Sequence, residues 1–427
     1  MWSDLKARAG ALFGDSFLRN VGVLTGGTVV AQGLVALSMP LLTRLYTPHD
    51  FSLLAVYMAV LGLLTVVSCL RFNIAISLPE REEDGASLVV LSILTAFALS
   101  VALGALAFAM PRQMSALLGQ PDFQAYLWLI PVGVLLASIY APLQYWASRR
   151  KRFGQITRTR MTRAFAGSGV QVGAGFVHPS PFGLLFGHMI FNSMGILGLA
   201  HAMWKHDRPA FSGIRMETLR RAAVEYRRFP IYSVPEALLN AAGSQIPVLI
   251  VAAALAGSEA GFLILAMRVL GLPMGLIGSS VAQVYLAEAP AKLREGELGP
   301  FTRRAMWSLF KAGGPPLVMI GAISPLIFPF VFGDEWRPAG WMLAWMMPWF
   351  VLQFVASPIS MLLHVTGHQL TAMILQGVGC VLRIGAVLAA LAFARSWTVE
   401  AYALSGAVFY GAYIGVLMMV AREGAKR

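Results

Sequence analysis

Apolar stretches of about 20 residues recur along the whole chain, and each is long enough to cross a bilayer as a helix. About twelve of them are found in 427 residues. In hydrocarbon, every backbone N–H and C=O must find a partner inside the protein, so only helices and closed barrels can span. Continuous apolar runs, rather than strictly alternating ones, select helices. Charged residues make up 12% of the chain and hydrophobic ones 57%, whereas soluble domains carry roughly 25% charge. The chain therefore reads as an all-α polytopic membrane protein. Spans are expected at 21–42, 51–70, 87–110, 125–147, 164–177, 182–204, 229–255, 261–286, 305–330, 341–365, 372–394 and 401–421. The fifth is short and ends at His178–Pro181, unless it begins inside the basic segment before it. Met1–Asn20 is amphipathic and has no small-residue cleavage site, so the first span is expected to act as its own insertion signal.

Twelve spans put both termini on one side, and basic residues identify that side as cytoplasmic. Of 33 Lys and Arg, 26 fall on the side of the termini and four on the other. The basic loop Ser148–Arg163 follows a span directly. Topology and contact with anionic lipid headgroups explain it better than nucleic-acid binding does. The acidic run Glu82–Asp84 reads as solvated loop charge.

The two halves of the chain echo one another. A shift of 209 residues lays Arg19 on Arg228 and Thr47–Ser52 on Ala256–Gly261. The expected domains are a six-helix lobe at 1–204, a cytoplasmic linker at 205–228 and a second six-helix lobe at 229–427. Parallel repeats of this kind hold substrate between them and rock one half against the other. Loops are short, which argues against an enzyme needing a large external catalytic loop. The chain has no GxxxxGK[ST] segment, which argues against a nucleotide-driven pump. Cys69 and Cys380 read as small embedded apolar residues. No cofactor and no metal site is expected.

Three cations, Arg268, Lys311 and Arg383, lie inside spans with no carboxylate within four residues. A charge at bilayer depth costs about 3 kcal/mol, so it usually faces a protein interior or a water-filled path. The functional reading is a cavity for a phosphate or diphosphate, where Arg offers paired contacts. The structural reading is an interhelical ion pair or a carbonyl clamp. Lys311 lies near a span end and could reach the interface along its stem. Arg71, at the end of the second span, is a further candidate or an interfacial anchor. Glu236 sits beside Pro235 in the seventh span. It is a candidate proton- or Na⁺-coupling carboxylate, or the counter-ion of a buried Arg. A positive interior favours anionic cargo.

Several segments together resemble the Wzx-type polysaccharide-repeat flippases (translocases of O-antigen and exopolysaccharide units) of the MOP exporter superfamily. They are Arg71–Pro79, Ala141–Phe153, Tyr226–Tyr232, Ala266–Pro273, Gly278–Gln283 and Phe332–Trp336. The family's first motif usually reads Arg-Phe-Glu; Asn73 stands at the acid here and removes one pairing partner of Arg71. The resemblance implies a MATE-like fold of twelve helices in two lobes around a cationic cavity. It implies an undecaprenyl-diphosphate-linked oligosaccharide as cargo, moved between leaflets of a bacterial inner membrane. Arg71, Arg268, Lys311 and Arg383 match the expected cavity cations. Partners would be the lipid-linked substrate, anionic membrane lipids, H⁺ or Na⁺, and a glycan polymerase or glycosyltransferase complex. The alternatives are a MATE-like multidrug or cation antiporter, and a polytopic enzyme or scaffold of glycan assembly.

Overall fold

The computed structural model describes residues 15–255, 257–274 and 278–424. Most of the Met1–Asn20 segment lies outside these, as do the side chains at 279, 280 and 283 of the Gly278–Gln283 motif. Regular structure among the described residues is helical. The N-terminal half holds α1 (Asp15–Leu45), α2 (Pro48–Ser68), α3 (Glu82–Ala109), α4 (Leu129–Arg149), α5 (Phe153–Val177), α6 (Pro181–Ser193) and α7 (Ile196–Ser212). The linker helix α8 (Met216–Glu225) and a π-helical turn at Phe229–Ser233 lead into the C-terminal half. That half holds α9 (Val234–Ala254), α10 (Glu259–Pro273), α11 (Ser279–Arg294), α12 (Leu298–Phe332), α13 (Arg337–Ala356), α14 (Gln369–Phe393) and α15 (Thr398–Gly424). The pairs α6–α7 and α10–α11 each make one traverse, so both halves cross six times.

Ten of these traverses are long and apolar enough to span by composition alone. The other two explain why some boundaries moved. Helix α5 carries Arg158, Arg160 and Arg163 in its first half, which hides it from any hydropathy reading. The fifth span, expected at 164–177, therefore starts at Phe153, and the expected loop 148–163 shrinks to a tight turn. In the other case, α10 has only 15 residues and α11 carries charge, so neither qualifies alone. The sixth traverse breaks at Gly195, whose φ of +104° suits glycine, and then runs on to Ser212. The segment 205–228, expected as a loop, is thus mostly helix.

Local chemistry sets the α1–α2 turn. Thr47 caps α2 by accepting from the Asp50 N–H at 3.2 Å, while Asp50 accepts from the Thr47 N–H at 2.9 Å. Pro48 occupies the first helical turn, where its missing N–H costs nothing. The 209-residue shift aligns one pair of helix ends: α1 ends at Leu45 and α9 at Ala254.

The halves meet along α2, which packs on both α9 and α10. At the face opposite the termini this seam is tight. A Cβ on Gly261 would run into the Pro48 carbonyl, so only glycine lets α10 come this close. Trp336, 1% exposed, donates its indole N–H to the Thr43 carbonyl at 3.0 Å. It packs edge-on against Phe51 at 4.9 Å and Phe262 at 5.8 Å. Gln120 Nε2 donates to the Ala252 carbonyl at 2.8 Å. On the termini face, Arg71 Nε approaches Ser233 Oγ at 3.5 Å, a long contact. The chain is therefore drawn closed at the face opposite its termini.

A buried carboxylate ties together the termini side of the N-terminal half. Asp207, 3% exposed, accepts from Arg152 twice at 2.8 Å and from Trp146 Nε1 at 2.9 Å. Its Oδ1 also lies 3.0 Å from Arg150 Nε. Arg150 in turn pairs with Glu82, and Arg221 of α8 with Asp84. The Glu82 hydrogen bond and the charge of Asp207 push the Arg150 guanidinium above its ordinary pKa, against the opposing effect of burial. The Glu82–Asp84 run, expected to be solvated, supplies two of the acids that hold α3, α4, α7 and α8 together.

Two outcomes follow from this packing. Asp207→Ala leaves the half-buried Arg152 guanidinium without its carboxylate and takes one of two carboxylates from Arg150, a loss of about 3 kcal/mol. A thermal melt in detergent should fall by at least about 5 °C. At the seam, Gly261→Leu should pry α10 from α2 and open the outer face. A thiol placed in the interior as Ala36→Cys should then react several-fold faster with an impermeant reagent applied to that face. The native Cys69 and Cys380 are both buried and add little background.

Candidate functional site

Between the halves lies a cavity of about 470 Å³. Helix α1 contributes Gln32 and Met39, α2 Met58, α5 Gln171, α6 His188 and α10 Arg268. No carboxylate is among its described lining residues. The pattern of α10 explains the position of Arg268: Leu263, Ala266 and Leu270 are buried at helical spacing. That leaves Arg268, Val269 and Leu272 to face the cavity.

Arg268 is half-buried, and its guanidinium meets soft partners. Nη2 lies 2.8 Å from Met58 Sδ and Nη1 3.9 Å from Met39 Sδ. A thioether is a weak, uncharged acceptor. The five-donor fork is therefore far from saturated by the described residues, in surroundings of low dielectric. A guanidinium held this way is poorly compensated, and an anion is the partner that would satisfy it.

The N-terminal half answers with cations of its own. On α5, Arg160, Arg163, Gly167 and Gln171 follow one another at spacings of three or four, so they share a stripe. Arg163 donates through Nε to the Phe191 carbonyl and through Nη2 to Asn192 Oδ1 at 3.2 Å. Its guanidinium lies over Tyr140 at 4.1 Å and over Phe191 at 4.9 Å. Phe191 stacks on His188, with ring centres 6.2 Å apart and planes 13° from parallel. His188 feels the charge of both Arg268 and Arg163. Arg160 donates to Thr28 Oγ1 at 2.7 Å, crossing to α1. His188 and Phe191 line the cavity, and Arg163 lies behind them, outside its lining.

The other sequence candidates lie elsewhere. Arg383 is 3% exposed and sits inside the C-terminal half. Its Nε donates to the Gly379 carbonyl at 3.1 Å, and its guanidinium stacks over Phe409 at 4.5 Å. A Cβ on Gly243 of α9 would come within 3.4 Å of it. This is the carbonyl-clamp geometry among the two readings of the sequence. Lys311 is exposed on the outer surface of α12, with Nζ 5.2 Å above the Trp307 ring. Arg71 sits at the seam with φ of +62°, directly after Leu70 at +47°. Two consecutive left-handed residues are strained without glycine. They turn the chain sharply between α2 and the short helix Phe72–Ala75. Glu236 is half-buried in a separate pocket of about 790 Å³ with Arg228, Tyr232, Leu370 and Met373. Of the five named candidates, Arg268 alone lines the central cavity. Arg160, Arg163 and His188 were missed. The legible signal of Arg160 and Arg163 was the stripe on α5, obscured by reading 148–163 as loop; His188 lies on α6, outside that stripe.

Twelve traverses, six in each half, surround an interlobe cavity. A family model described as polysaccharide biosynthesis protein matches residues 41–340. The chain belongs to this family. None of the curated proteins matches it. Among solved structures, it resembles the lipid II flippase MurJ in an inward closed conformation, at 13% identity and a TM-score of 0.71. That match covers 92% of this chain and 87% of the other. It also resembles an inward-facing MATE family multidrug resistance transporter, at 14% identity and a TM-score of 0.59, covering 95% and 94%. A third likeness is a MOP superfamily transporter from Pyrococcus furiosus whose binding pocket is described as reversed in polarity. There, identity is 13% and the TM-score 0.58, with 96% of each chain covered. At these identities the likeness is one of fold.

The geometry separates two arginines by stability. Arg268→Met removes a poorly compensated charge and should raise the melting temperature by about 1–3 °C. Arg383→Met breaks a buried clamp and should lower it by at least about 5 °C. Differential scanning fluorimetry on both variants measures the contrast.

Proposed function

We propose that the protein is a flippase for lipid-linked oligosaccharides. It would move undecaprenyl-diphosphate-linked repeat units from the cytoplasmic to the periplasmic leaflet of a bacterial inner membrane by alternating access. The observation that carries this reading is Arg268. It is a guanidinium in the interlobe cavity with thioether partners and no carboxylate among the described lining residues. A diphosphate supplies the anionic oxygens that the guanidinium lacks. His188 and Phe191 supply aromatic surface on which sugar rings can stack, with the charge of Arg163 behind them. The polyprenyl tail stays in the bilayer. Family membership in polysaccharide biosynthesis and the fold shared with a lipid II flippase support the same reading.

In this scheme the lobes 1–204 and 229–427 rock about the linker 205–228, with both termini cytoplasmic. The closed outer seam then corresponds to a cavity loaded from the cytoplasmic side. Arg71 at the inner seam would meet cargo as it enters, and Glu236 would couple transport to H⁺ or Na⁺. Arg383 and Lys311 would act on cargo less directly, through lobe integrity and surface charge. Anionic membrane lipids would meet the basic inner face, and a polymerase or glycosyltransferase complex would supply and consume the cargo. A cation antiporter fits less well, because cationic cargo calls for acids in the cavity. The chemistry is transport, with no bond made or broken.

The test is flipping of an undecaprenyl-diphosphate-linked oligosaccharide in proteoliposomes. Arg268→Ala should lower the rate at least tenfold while insertion and melting stay intact, and Arg268→Lys should recover part of it. Wild-type rates in Arg268→Ala would overturn the proposal.

A further inference from the structure

A second concave site lies on the outer surface of the C-terminal half, where α12, α13 and α15 meet. Its volume is about 510 Å³. The walls are Met306, Phe310, Leu352, Val355, Ile414 and Met418, and no carboxylate lines it. Arg303 and Arg304 border it, both exposed. It shares no residue with the central cavity.

The three helices place this groove at a definite depth. Arg303 and Arg304 fall in the opening turns of α12, which starts at Leu298. Leu352 and Val355 are in the last turns of α13, which ends at Ala356. Met418 is near the end of α15, and Arg422 follows one turn later on the same helical face. The apolar walls thus lie in the leaflet on the termini side, with the arginines at its water boundary. Trp307, 56% exposed, stacks on Phe310 with ring centres 5.6 Å apart, the usual station of an interfacial aromatic. Lys311 Nζ adds a third cation over the Trp307 ring at 5.2 Å. Glu297 feels the charge of Arg304 but is already held by Lys292 at 3.0 Å.

We infer that this groove is a binding site for one anionic diacyl phospholipid. One acyl chain lies along the apolar walls, and the phosphate sits between Arg303 and Arg304. An apolar groove facing hydrocarbon is filled by a hydrocarbon chain, since water there would have no polar partners. The choice of headgroup follows from charge. Paired guanidinium groups bind a phosphate through several charge-assisted hydrogen bonds. A zwitterionic lipid would bring its own ammonium into a patch that already carries Lys311. The volume is within the roughly 300–1,000 Å³ range of pockets that enclose a specific ligand.

Native mass spectrometry of the detergent-purified full chain tests this, with phosphatidylglycerol and phosphatidylcholine as probes. The wild type should retain one phosphatidylglycerol at least tenfold more tightly than phosphatidylcholine. The Arg303→Gln/Arg304→Gln double variant should lose that preference. Val355→Trp, which fills the groove and leaves the charges, should weaken retention of both lipids. Arg268→Ala should retain the lipid as the wild type does, which separates this site from the cavity of the proposed flippase. Equal retention of the two lipids by the wild type would overturn the inference. So would unchanged retention in both groove variants, or loss of the lipid in Arg268→Ala. A dimer that forms through this face and is broken by the double variant would assign the groove to a second copy of the chain instead.

Discussion

The close approach of α2 to α10 at Gly261 governs the rest of the structure. Where the Pro48 carbonyl sits against Gly261, the halves touch at the end opposite the termini. Trp336 then reaches from the C-terminal half into the α1–α2 turn, and Gln120 reaches the end of α9. These contacts use groups that helix ends leave unsatisfied, namely the carbonyls of Thr43 and Ala252. Closing the seam there leaves space between the halves deeper in, and Arg268 faces that space. The cavity is thus a consequence of where two helices were allowed to touch.

Charge in this protein does two jobs, distinguished by the partners that are present. At the base of the N-terminal half, Arg150, Arg152 and Trp146 surround Asp207 and leave little for a ligand to gain. Arg383 donates one hydrogen bond to Gly379 on its own helix and lays its guanidinium over Phe409 inside the C-terminal half. Among the described residues, the hydrogen-bond acceptors of Arg268 are thioether sulfurs. Its side chain is held in place by packing while its hydrogen-bonding capacity stays open.

Much of the fold was legible in the sequence. Apolar runs of bilayer length marked ten of the traverses. The Thr47–Asp50 pattern marks a helix start, and the 209-residue echo aligns the ends of α1 and α9. The errors came where polarity and periodicity disagree. Helix α5 carries three arginines in its opening half, so hydropathy reads it as loop although its side chains find partners on α1, α4 and α6. The site was legible only in part. Arg268, Arg383 and Lys311 look alike in sequence, each a lone cation in an apolar run. What separates them is the neighbour met on another helix.

The sequence by itself determined that the chain is a multi-pass membrane protein. Hydrocarbon admits only segments that satisfy their own backbone, and segment length and composition are local properties. The tertiary structure decided which cations serve the cavity. A guanidinium is a clamp or an open site according to the carbonyls, rings and sulfurs around it, and those come from helices far away in sequence. Arg268 and Met58, 210 residues apart, make the point: neither residue announces the contact that leaves the arginine open to an anion.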